Sequence, residues 1–146
     1  MKIASRARWG IILTLTLLLT SCVSKPEPPP NLLAPDAEQM KLRSMQTRTF
    51  DLADRNQALR GVITALQDLG FIIERANEPL GLVTGARFAE PRWMDVVGVT
   101  VTVRPQGNGQ MLIRANAIFN NEPITDPKVY QNFFATLERS LFAERN

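Results

Sequence analysis

The chain has no histidine and only one cysteine in 146 residues. The first absence excludes Ser-His-Asp and Cys-His catalysis and His-ligated metal sites. The second excludes an intramolecular disulfide framework and any multi-cysteine metal cluster. No apolar run reaches the roughly 20 residues that a helix needs to cross a bilayer. A basic excess is also missing once the N-terminus is set aside. The seventeen Lys and Arg outnumber the fourteen Asp and Glu only because Lys2, Arg6 and Arg8 fall in the first 21 residues, which carry no acid. Without those three cations the chain is formally neutral. Nucleic-acid binding requires a basic face, so no nucleic-acid partner is expected. What remains, 45% hydrophobic and 21% charged, is the composition of one globular domain with an appended tail.

The N-terminus reads as an address. Met1 to Arg8 is basic, and Trp9 to Leu19 is an apolar stretch too short to span a membrane. That combination describes a signal peptide over residues 1–21. Arg6 and Arg8 are not adjacent, so there is no twin-arginine motif. Leu19-Thr20-Ser21-Cys22 closes the stretch and resembles the bacterial lipobox. The resemblance implies diacylglycerol on the Cys22 sulfur, cleavage before Cys22 and N-acylation of the new terminus. The thiolate is the nucleophile such an alkylation needs. Several acyl chains at about 0.8 kcal/mol per buried CH₂ make a firm anchor. Val23 stands where an Asp would mark inner-membrane retention in enteric bacteria. By the same resemblance the expected location is the periplasmic side of the outer membrane.

Pro26, Pro28, Pro29, Pro30 and Pro35 crowd the next segment, which favours extended polyproline II and excludes a helix there. Residues 22–45 therefore read as the lipidated cysteine and a Pro-rich tether, with Leu32-Leu33 either incidental or a short docking patch. Residues 46–146 read as a single domain, expected to be monomeric. Gln46 to Leu52 suits a strand. Asp54 suits a helix N-cap with Gln57 three residues on. Leu59, Val62, Ile63, Leu66 and Leu69 then recur at spacings of three and four up to Gly70, predicting a helix over 55–69. Residues 71–75 and 82–88 read as strands. Val97, Val99, Val101 and Val103 alternate with Gly98, Thr100, Thr102 and Arg104 in the clearest strand of the chain, over 94–104. A hairpin loop at 105–109 and a strand at 111–120 follow, with Met111, Ile113, Ala115, Ala117 and Phe119 inward. Asp126-Pro127 opens a final helix with Val129, Phe133, Phe134, Leu137 and Leu141 as its stripe. The order β-α-β-β-β-β-α predicts an α+β two-layer sandwich, a mostly antiparallel sheet with both helices on one face.

Chemistry is sparse. The lipid consumes Cys22, the one thiol. Glu90, Asp95, Glu122 and Asp126 lie in or beside loops, but no spacing singles out a carboxylate pair of the kind glycoside hydrolysis uses. No segment has the clustered oxygen ligands of a Ca²⁺ loop. Gly107-Asn108-Gly109 is a turn, since neither a helix nor a phosphate-binding Lys follows it. No catalytic, metal or cofactor residue is assigned. Arg92-Trp93-Met94, between two strands, is either the edge of the core or a partner contact, because these residue types concentrate in interface hot spots. The sheet face carrying Thr100, Thr102, Arg104, Arg114 and Asn116 is either solvated or a docking face.

Asn56-Gln57-Ala58-Leu59-Arg60 through Leu66-Gln67-Asp68-Leu69-Gly70-Phe71-Ile72-Ile73, leading to Leu80-Gly81-Leu82-Val83-Thr84, resembles the repeated domain of BamC (NlpB) lipoproteins. That domain pairs a helix with a short antiparallel sheet. The likeness covers about 35 residues, and it implies an accessory role in an outer-membrane protein complex. The leading expectation is therefore a non-enzymatic adaptor, membrane-anchored by its lipid, with an envelope protein partner. The alternative is a module binding lipid or a small apolar ligand between helices and sheet, revealed by a cavity. Less favoured is a cell-wall hydrolase, which would need two facing carboxylates.

Overall fold

The valine alternation sets the architecture. In the computed structural model, which describes residues 36–90 and 94–143 within the unit Pro35–Asn146, it forms the middle of strand β4 (Val96–Gly107). Val97, Val99, Val101 and Val103 are buried, while Thr100 and Thr102 on the opposite face are half-buried. β3 (Leu82–Phe88) and β5 (Gln110–Phe119) flank it antiparallel. β2 (Ile72–Asn77) extends the sheet beyond β3, and β1 (Thr47–Asp51) pairs with β5 on the other side. The strand order is β1-β5-β4-β3-β2, with the two-residue β6 (Glu122–Pro123) pairing the end of β5.

Three helices are described: α1 (Ala37–Met45), α2 (Arg55–Asp68) and α3 (Pro127–Ala143). Asp54 caps α2 by accepting from the Asn56 amide at 2.8 Å, and Asp126 caps α3 by accepting from the Lys128 amide at 2.9 Å. The inward faces of α2 and α3 carry Ala58, Val62, Leu66, Phe134, Leu137 and Leu141 onto the inner sheet face, Val101 and Ile113 included. Each such large apolar side chain contributes about 1.5–3 kcal/mol by leaving water. Gly61 lets the two helices approach, because a Cβ there would fall 2.5 Å from a Leu141 methyl. The α+β sandwich and its antiparallel meander are those the sequence predicts. The predicted order is kept from β1 to α3, with α1 ahead of it and the two-residue β6 inserted between β5 and α3.

A polar seam ties the first strand to the last helix. Gln46 is buried, and its amide donates to the Tyr130 hydroxyl and to Asn116 Oδ1, both at 3.2 Å. Tyr130 in turn donates to the Ile124 carbonyl at 2.6 Å. The Gln46 backbone caps α1 through the Leu42 carbonyl and accepts from Ala115 N–H. Beside this seam, Arg48 stacks on Phe134 at 4.9 Å and pairs with Glu138 at 3.6 Å.

Several expectations need correction. Residues 37–45 are helical, so the tether reading overruns into α1. Asp36 caps this helix through the Gln39 amide at 2.7 Å, and Leu42 and Met45 pack against the core. The β4–β5 loop is shorter than predicted. β4 continues through Pro105 to Gly107 by way of a register shift, leaving a two-residue turn in which Asn108 and Gly109 have φ of 52° and 73°. Phe119 has the inward phase but is exposed, at the last position of β5. Val129 is likewise at the rim of its stripe and largely exposed.

Candidate functional site

Two features stand out on this scaffold, one on each face of the sheet. The first is a cavity of about 340 Å³ on the helix side. Its floor is the inner face of β4 and β5, where Val99 stands opposite the small Ala117, with Val97 and the small Ala115 on either side of that pair. Leu66 and Leu69 close it from the end of α2, and Val129, Tyr130, Asn132 and Phe133 from the first turns of α3. Phe71 and Ile124 complete the wall. Tyr130 presents its ring only, since its hydroxyl is held by Ile124 and Gln46.

Arg87 is the one charged residue among the described residues of this lining. Its register partner is the buried Val97, so it occupies an inward position of β3 at the end of the strand, following Val83 and Gly85. The guanidinium leans over the Phe71 ring at 5.1 Å and donates to the Leu69 carbonyl at 3.4 Å. No carboxylate among the described residues pairs with it.

The second feature is the outer face of the sheet. Register places Ile72, Ala86, Gly98, Ile118 and Pro123 in one row across five strands, with the pair Phe88 and Val96 in the next row. Ile72, Phe88 and Val96 are 69%, 65% and 37% exposed. Toward the other end the same face becomes polar through Thr84, Thr100, Thr102, Arg114 and Asn116. The apolar end is the part that sequence reading missed. Ile72 sits in a strand of mixed pattern, and no single strand shows the row that pairing assembles.

Of the residues singled out in the sequence, Met94 is described and is 72% exposed. It lies two residues before Val96, on the connection whose ends are tied by the Ala89 amide donating to the Asp95 carbonyl at 2.8 Å. Arg92 and Trp93 belong to the same connection and lie outside the described residues, as do Leu19, Thr20, Ser21, Cys22, Leu32 and Leu33. Two of the four loop acids have local partners. Asp95 accepts from the Asn120 amide at 2.9 Å, and Asp126 caps α3. Among the described residues no group of three or more acids could hold a metal ion, and no helix is long and apolar enough to cross a membrane.

No family model matches this chain, and no curated protein matches it. Among solved structures it is similar to the adenylate sensor of AMP-activated protein kinase, crystallised with 5-aminoimidazole-4-carboxamide 1-β-D-ribofuranotide. The identity is 12%, the TM-score 0.47, and the match covers 65% of this chain and 94% of the other. A likeness this distant carries no functional conclusion.

Proposed function

We propose that the protein is a lipid-anchored envelope lipoprotein acting as a non-enzymatic adaptor on the periplasmic side of the outer membrane. It docks an envelope protein through the apolar end of its open sheet face. The observation that carries this reading is the exposed row built on Ile72, Phe88 and Val96. Large apolar side chains grouped on a flat surface and rimmed by polar ones are what a protein partner covers. The connection that leaves the sheet at Phe88 and re-enters it at Val96 carries the exposed Met94 two residues before the row. The lipobox ending at Cys22 and the likeness to BamC domains agree with the reading.

The test is site-specific photocrosslinking of the full-length, tagged lipoprotein in its own envelope. A probe at Phe88 should capture one stoichiometric protein, and a probe at Thr49, at the far end of the same face, should not. Ile72→Asp should abolish that capture. It should leave stability within about 0.5 kcal/mol, as for an exposed site. Equal capture from both positions, or capture indifferent to Ile72→Asp, removes this face as the docking surface.

A second reading, a module that holds an apolar ligand, is favoured by the cavity between helices and sheet.

A further inference from the structure

We infer that the cavity beneath Arg87 binds a small amphipathic acid, a single short alkyl chain or compact ring system whose anionic head pairs with the Arg87 guanidinium. This rests on the second reading above and specifies its ligand. It is independent of the adaptor reading, which concerns the opposite face of the sheet.

Size limits the ligand first. An apolar cavity of about 150 Å³ stays dry and accepts benzene, and drug-sized pockets run from about 300 to 1,000 Å³. At about 340 Å³ this one has room for one short chain or a fused ring. A two-chain lipid is too large.

The lining limits its chemistry. Floor and walls are Val, Leu, Ile, Ala and aromatic surface, the Tyr130 hydroxyl is already engaged on both sides, and Asn132, the one amide among the described residues of the lining, is exposed at the rim. A polar group carried inside would lose its water without finding a partner, which costs several kcal/mol on the order given for apolar transfer. The buried part of the ligand is therefore entirely apolar.

The mouth limits its charge. Arg87 is the sole charge among the described residues of the lining, placed by register where the strand pattern calls for an apolar residue. One of its nitrogens reaches the Leu69 carbonyl, at a long 3.4 Å. Most of its donors are left for a carboxylate, sulfonate or phosphate, which a guanidinium grips in a two-pronged fashion. Phe71 beneath the guanidinium and Leu69 beside it also line the cavity. The cation is thereby held where an acid head would emerge from it.

The test uses native mass spectrometry of the full-length lipidated protein, offered decanoate and decanol separately and in competition. Decanoate should bind one-to-one and be preferred at least about tenfold, since a hydrogen bond to a charged group adds about 1.5–3 kcal/mol. Arg87→Gln should reduce that preference to parity, and Arg87→Lys should keep part of it. Ala117→Leu, which fills the floor, should lose both ligands, with Ala115→Val as the milder variant should the first fail to fold. Phe88→Asp, on the other sheet face, should change nothing. Equal binding of decanoate and decanol, or a preference that survives Arg87→Gln, overturns the acid assignment and leaves an apolar site standing. Failure of both ligands to bind, or binding indifferent to both cavity-filling variants, overturns the acid assignment and the ligand reading together.

Discussion

Replacing Tyr130 with phenylalanine removes one oxygen and keeps the ring, so its effect isolates the polar seam. The hydroxyl lies at 1% residue exposure, donates to Ile124 O at 2.6 Å and accepts from Gln46 Nε2 at 3.2 Å. Two hydrogen bonds are lost, and the Ile124 carbonyl is left half-buried without its donor. At roughly 1 kcal/mol net per bond the loss comes to about 2 kcal/mol. For a domain near 100 residues that lowers Tm by roughly 8–16 °C. Gln46→Leu should do less, about 1 kcal/mol. Asn116 is exposed and can turn to water, and Tyr130 still donates to Ile124. The bond between Gln46 and Tyr130 is common to both variants, so the double variant should be milder than the sum of the singles by about 1 kcal/mol. Urea unfolding followed by circular dichroism measures all four species. A Tyr130→Phe loss below about 0.5 kcal/mol, or singles that add within about 0.3–0.5 kcal/mol, refutes the seam as a source of stability.

Two glycines separate backbone conformation from crowding. Gly81 (φ 64°) faces the Val103 carbonyl, which a Cβ would meet at 2.2 Å, whereas Gly70 (φ 81°) faces open space. Gly70→Ala should cost about 1–2 kcal/mol, the left-handed penalty alone. Gly81→Ala should cost clearly more, because it also pushes β3 from β4 where the Val103 amide donates to Gly81 O at 2.7 Å. Comparative thermal denaturation checks the order, and equal losses would contradict it. Cys22→Ala should leave an unlipidated precursor and displace the protein from the outer-membrane fraction. Unchanged anchoring in fractionated envelopes would remove the lipoprotein assignment.

Legibility in the sequence tracked how local the determining physics is. The β4 valines, the α2 stripe and the Asp54 and Asp126 caps each declare themselves within a few residues, and the folded chain keeps them. Helix α1 has no buried residue, so it shows almost no apolar periodicity and merged with the proline-rich stretch before it. Its one local signal is Asp36 ahead of a run of good helix formers. The outer apolar row exists only through cross-strand register, which no single strand encodes. The cavity depends on the depth left above Ala115 and Ala117, a distance set by where two helices settle. Two signals pointed toward it without fixing it: small residues in a strand's core phase, and an arginine at the inward position that follows Val83 and Gly85.

The Gln46–Tyr130 contact spans 84 residues of sequence, and that separation bears on how the domain comes together. The β2–β5 meander closes through short turns, so its loops carry little entropy penalty and its hairpins can form early. β1 must wait for β5, since Thr47 meets Arg114 across 67 residues. The apolar side of the meander is covered only in part, by α2, until α3, the last described element, arrives with Phe134 and Leu137. A chain emerging from its N-terminus therefore holds a nearly complete sheet with a half-wet valine face between the end of β5 at Phe119 and the arrival of α3, the form most prone to aggregate. Closure by α3 ends that exposure and makes the Gln46–Tyr130 bond in the same step, so the bond forms only once the last helix is in place.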